Sequence, residues 1–136
     1  MYYLDTNIFV RALTGDDEKK MKHCQDLFQK IAQKKVIATT SETVIAEVVY
    51  VLSSKVLNYG FSRKEIRDQL ETLLMLNGFR FSQKEMVIQA LYLYAEKNID
   101  FSDALLAQYA INSEANGVYS YNTDFDKIPS VKRKVP

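Results

Sequence analysis

The sequence predicts an α/β protein with a mainly parallel sheet covered by helices on both faces. Short β-branched or aromatic runs ("MYYLD", "VIATT", "GFRF", "VYSYN" and "VKRKV") are separated by longer stretches of helical character. Their order is β-α-α-β-α-α-β-α-α-β-loop-β, and strands that alternate with helices favour parallel pairing. No repeat, low-complexity segment or linker interrupts the 136 residues, so residues 1–136 read as one domain with one core.

The elements follow in order. "MYYLDTN" is expected to be a short buried strand ending at Asp5, with "NIFVRAL" forming a helical turn or two after it. Gly15-Asp16-Asp17 punctuates. "DDEKKMKHCQDLFQKIAQKK" then places acids first and lysines last, which suits a helix dipole, with Met21, Leu27, Phe28 and Ile31 as its apolar face. "VIATT" is a second strand. "SETVIAEVVYVLSSKVL" is long enough for a helix despite its β-branched residues. "SRKE" from Ser62 and "SQKE" from Ser82 both carry the capping-box pattern, opening helices over roughly Arg63–Met75 and Gln83–Lys97. "GFRF" between them reads as a strand. "FSDALLAQYAINSEA" is a further amphipathic helix stopped by Asn116-Gly117, followed by strands at "VYSYN" and "VKRKV".

Composition bounds the function. At 47% hydrophobic and 26% charged residues the chain is that of a globular protein. A net charge of +1 gives no global basic field, so any nucleic-acid surface has to be local. Cys24 is the only cysteine, which excludes an intramolecular disulfide and fits a reducing compartment. Strand-like residues from Tyr2 leave no room for an export signal, and "VVYVL" is too short for a membrane span. A cytoplasmic protein without membrane association is expected.

Parallel sheets bind ligands at the carboxyl ends of their strands, and Asp5 and Asp124 lie at or just past such ends. Each carboxylate also has an ordinary reading. Asp5, Thr6 and Asn7 are good helix caps, Asp103 suits the first turn of its helix, and Asp124 and Asp126 suit a turn. Glu47 is harder to explain away, because "VIAEVVYVL" is otherwise apolar or aromatic. It sits either at the solvent edge of its helix or beside a cation. If the four acids Asp5, Glu47, Asp103 and Asp124 converge, they form an oxygen cage too negative to exist without a cation. Such donors select Mg²⁺ or Mn²⁺, which serve phosphodiester hydrolysis.

Four blocks together, "LDTNIFVRAL", "SETVIAEVVYVL", "DFSDALLAQYA" and "SYNTDFDKIPSV", resemble the PIN-domain family, in particular the VapC-type toxins of toxin–antitoxin modules. The resemblance implies a three-layer α/β/α sandwich around a sheet of about five short strands. It makes Asp5, Glu47 and Asp103 the first three acidic ligands of Mg²⁺ or Mn²⁺ in a ribonuclease. The family often has an Asp two residues before the Asp-Phe pair, where this chain has Asn122. Asp124 is then the expected fourth acid, with Asp126 as the alternative and Asn122 supporting it. Thr6 and Asn7 resemble the small polar residues beside the first acid. An antitoxin protein and a second copy of the chain are the implied partners.

Backbone contact with RNA is expected from Arg11, Lys127, Lys132, Arg133 and Lys134, and the nine tyrosines offer rings for unpaired bases. Tyr92, Tyr94 and Tyr109 read more simply as core or interface residues. A metal-free ribonuclease needs two histidines, and His23 is the only one, read as a surface residue away from every acidic block. The other functions considered are a PIN-like scaffold without catalysis, a metal-dependent DNA nuclease and a phosphatase.

Overall fold

The computed structural model describes residues 1–136, in two compact units, Met1–Lys84 and Glu85–Pro136. The elements are β1 (Tyr2–Tyr3), α1 (Thr6–Leu13), α2 (Glu18–Ala32), β2 (Ala38–Thr39), α3 (Glu42–Ser53) and α4 (Arg63–Leu74). They continue with α5 (Lys84–Lys97), α6 (Phe101–Asn112), β3 (Val118–Tyr119), a 3-10 turn (Thr123–Lys127) and β4 (Arg133–Lys134). Mixed helix and strand with parallel pairing is the expected class. The five strand-like runs do pair, but in short ladders: β1 with β2, β3 with β4, and "GFRF" only through a parallel bridge from Phe79 to Ala38.

In the first unit, β1 runs parallel to β2 with Tyr2 opposite Ala38 and Tyr3 opposite Thr39. β2 is the buried strand. Tyr2 and Tyr3 are 71% and 73% exposed, so the expectation of a buried first strand fails. Pairing on one side through Tyr2 N to Ile37 O and Leu4 N to Thr39 O satisfies the backbone, and Leu4 is the run's buried side chain. Behind the ladder Phe9 packs on Phe28 and Phe79, with ring centroids 5.5 and 6.3 Å away. Gly78 is required by close approach: a Cβ there would lie 2.4 Å from Ile31 O and 2.6 Å from Val36 O.

Caps set the helix starts. The Asp17 side chain accepts from Lys20 N, and Ser41 accepts from Val44 N, each the kind of bond worth about 1 kcal/mol. The Ser62–Glu65 capping box forms in both directions. The one expected at Ser82 does not form, because Ser82 Oγ donates to Gln83 Oε1 and the helix begins later, at Lys84. Asp16 ties the turn after α1 to the segment after α3, accepting from Tyr59 Oη at 2.6 Å, Thr14 Oγ1 at 2.9 Å and Arg11 Nη1 at 3.1 Å. The Tyr59 hydroxyl, then Thr14, holds the Asp16 carboxyl below the usual carboxylate range.

In the second unit, α5 buries Val87, Ala90, Leu91 and Tyr94, and the Tyr94 ring meets Phe101 edge-on at 6.4 Å. β3 runs parallel to β4, with Val118 opposite Arg133 and Tyr119 opposite Lys134. The approach is tight: a Cβ on Gly117 would lie 2.2 Å from Lys132 O, to which Val118 N donates at 2.8 Å. No helix is long and apolar enough to cross a membrane.

Candidate active site

The acids fall into one pair per unit. In the first, Asp5 is the N-cap of α1 and accepts from Thr6 N at 2.7 Å. Thr6 is only 6% exposed, and its hydroxyl donates to Glu47 Oε2 at 3.1 Å, 41 residues away. The ordinary reading of Asp5 as a cap and its assignment to a site are therefore compatible. Glu47 is exposed, so of its two sequence readings the solvent edge is the observed one, and its partner is a hydroxyl rather than a cation. α3 presents its apolar positions Ile45, Val48, Val49 and Leu52 to the interior and leaves Glu47 outside.

In the second unit, Asp103 is a half-buried residue of the first turn of α6. Asn122 Nδ2 donates to Asp103 Oδ2 at 3.1 Å, while Asn122 Oδ1 accepts from Asp124 N at 3.0 Å. One amide thus links both acids. An Asp at this position offers no hydrogen to Asp103 and adds a further negative charge. Burial, and then the charges of Asp100 and Asp124, push the Asp103 carboxyl above the usual range, with the Asn122 bond opposing them.

Asp124 and Asp126 are told apart by their partners. Arg133 grips Asp126 with two bonds, Nε to Oδ1 at 3.0 Å and Nη2 to Oδ2 at 3.1 Å, and also donates to Ser120 O. Asp124 meets only Lys127, at 2.9 Å, in an exposed pair of the weak surface kind. Three of the five expected RNA contacts are accordingly engaged: Arg11 with Asp16, Lys127 with Asp124 and Asn98 O, and Arg133 with Asp126. Asn7 is exposed and lines a depression of about 240 Å³ with Ile8, Arg11, Lys20, His23 and Cys24. His23 thus shares a surface with the first acidic block, which its distance in sequence had concealed.

The donors are carboxylate oxygens, the hard ligands that suit Mg²⁺ or Mn²⁺. Carboxyl repulsion at Asp103 is the kind of strain that a divalent cation relieves. Neither unit by itself gathers three or more His, Cys, Asp or Glu side chains into a metal-holding group. Each unit supplies two of the four acids.

Short parallel ladders, helices between them and acids at the strand ends define a class that comparison with known proteins names. The model of the PIN domain matches residues 2–131, and the chain belongs to that family. It is similar to a VapC ribonuclease of Aquifex aeolicus (strain VF5), 29% identical over 128 residues that cover 94% of this chain and 92% of the relative.

Proposed function

We propose that the chain is a metal-dependent endoribonuclease and the toxin of a toxin–antitoxin pair, acting in the cytoplasm as a homodimer beside its antitoxin. Membership of the PIN family and likeness to a VapC ribonuclease over nearly the full length support the class. The observation that carries the site is that each unit has one neutral residue bound to its acids. Thr6 donates to the carboxylates of Asp5 and Glu47, and Asn122 donates to the carboxylate of Asp103 while capping the turn that carries Asp124. Such outer partners are what carboxylate metal sites need to fix ligand geometry.

On this reading Asp5, Glu47, Asp103 and Asp124 hold Mg²⁺ or Mn²⁺ and serve one reaction in one PIN domain spanning both units. When bound, the cation supplies a water of lowered pKa and balances charge on the attacked phosphate. Thr6 keeps Glu47 turned by its hydroxyl. Asn122 keeps Asp103 turned by its amide. Arg133 reserves Asp126 for structure, which leaves Asp124 as the fourth acid.

The test is the chemistry of the ends. Hydrolysis of a mixed RNA panel with Mg²⁺ or Mn²⁺ is expected to leave 5′-phosphate and 3′-hydroxyl ends and to stop in EDTA. Ends carrying 2′,3′-cyclic phosphate would show attack by the RNA's own 2′-hydroxyl and sink the proposal. Cleavage of DNA at an equal rate would favour a general nuclease.

A further inference from the structure

The basic residues near the carboxyl end separate by what they already hold. Arg133 points to the side of Val118, its partner in register, and spends its guanidinium on Asp126 and Ser120 O. Lys132 and Lys134, on either side of it, are exposed and make no ion pair. Strand alternation puts both on the opposite face from Arg133. Tyr119, paired in register with Lys134, lies on that face too. Val118 is buried and Tyr119 exposed, and Tyr121, in the bend just after β3, is exposed as well. Tyr119 and Tyr121 are 72% and 75% exposed, and neither hydroxyl is used in a hydrogen bond.

Two exposed rings two residues apart are more than the singly scattered apolar side chain that is ordinary on a surface. Two such rings beside two unpaired ammonium groups are the combination that binds single-stranded nucleic acid, bases on the rings and phosphates on the cations. A depression of about 180 Å³ lies beside them, lined by Asn116, Gly117, Val118, Tyr119 and Lys134. The face is also anchored. Ser120 N donates to Lys134 O at 3.0 Å, Asn122 N donates to Ser120 Oγ at 2.9 Å, and Tyr121 directly precedes Asn122, whose amide holds Asp103.

We propose that the outer face of the β3–β4 ladder, with Tyr119, Lys132 and Lys134, together with Tyr121 in the bend that follows β3, is a stacking platform that holds single-stranded RNA next to Asp103 and Asp124. This inference rests on the endoribonuclease reading and adds to it the residues that grip the RNA. Duplex RNA, with its bases paired and stacked inward, offers the rings nothing.

The test is fluorescence anisotropy of a labelled single-stranded RNA and its matched duplex, in EDTA so that no cleavage intervenes. Wild type is expected to prefer the single strand. Tyr119→Ala and Tyr121→Ala each weaken binding by about ten-fold, whereas Tyr119→Phe and Tyr121→Phe, which keep the ring, stay near wild type. Lys132→Gln and Lys134→Gln each reduce the slope of log affinity against log salt by about 0.7. Thermal melting confirms that the variants fold. Preference for duplex, no binding of single strands by wild type, or alanine variants within two-fold of wild type would each overturn the platform. A face that instead takes an acidic peptide and ignores RNA would overturn it in favour of a protein partner. Cleavage by wild type in Mg²⁺ is scored separately, so an active nuclease with unaffected alanine variants refutes the platform alone.

Discussion

Thr6 and Asn122 do the same work in two different settings. Each holds an acid by a hydrogen bond, but Thr6 is buried at the start of α1 and donates to two carboxylates, through its amide N–H and its hydroxyl. Asn122 is exposed, donates to one acid and accepts from the backbone of the other. The first pair therefore takes its geometry from the interior of its unit. The second takes it from surface hydrogen bonds, among them the Arg133–Asp126 grip and the Ser120 bonds that hold the loop. Position in the fold, rather than the acids themselves, decides how easily each pair is loosened.

Thr6 and Asn122 are where substitution is expected to act most strongly. Thr6→Val keeps the buried shape and removes the hydroxyl that holds Glu47. RNA cleavage is expected to fall about 10- to 100-fold, with stability within about 1 kcal/mol, because water can replace the bond at exposed Glu47. Asn122→Ala is expected to cost about ten-fold in cleavage with no change in melting temperature. A Thr6→Val protein of unchanged activity would remove the hydroxyl from the account.

Arg133→Met sharpens the contrast. It releases Asp126 and Ser120 O, so cleavage should fall several-fold through a looser Asn122, while the salt dependence of RNA binding stays at the wild-type slope. A reduced slope would return Arg133 to the RNA-contacting residues.

The electrostatic difference is read by stability. The folded protein raises the Asp103 carboxyl above its ordinary value, so between those two values the folded state binds more protons than the unfolded state. Its contribution to stability therefore falls as pH rises from the ordinary carboxylate range through the raised value. Asp103→Asn, which carries no charge to desolvate, is expected to raise the melting temperature slightly at neutral pH in EDTA while abolishing activity. A lower melting temperature for this variant would contradict the strain. Smallest of all is Lys127→Gln, expected to change stability by less than about 1 kcal/mol in a denaturant titration, as for any exposed pair.

Much of the fold was legible because its signals are local. Periodicity and caps put α4 at Arg63–Leu74 against an expected Arg63–Met75, and α5 at Lys84–Lys97 against Gln83–Lys97. The apolar neighbours of Glu47 marked it out, and of the two places they allowed, the solvent edge of the helix is the one observed. What sequence did not yield depends on partners distant along the chain or on which way a short strand faces. Thr6 reaches Glu47 across 41 residues, and nothing in "LDTN" announces that bond. Arg133 looked like one more cation in "VKRKV" until its register with Val118 set it apart from its two lysine neighbours. Ser82 has the letters of a capping box, yet a competing bond to Gln83 took its hydroxyl. Tyr2 and Tyr3 have strand propensity, but a two-residue ladder buries neither.

The most direct test of the central claim, that acids from both units serve one metal-dependent reaction, is a Mg²⁺ titration of RNA cleavage by wild type, Asp5→Asn and Asp103→Asn. All three proteins would first be shown to be folded. Wild type is expected to be silent in EDTA and restored by Mg²⁺, with each variant reduced at least about a hundred-fold at saturating metal. Cleavage that persists in EDTA, or either variant keeping the wild-type rate, would contradict that claim.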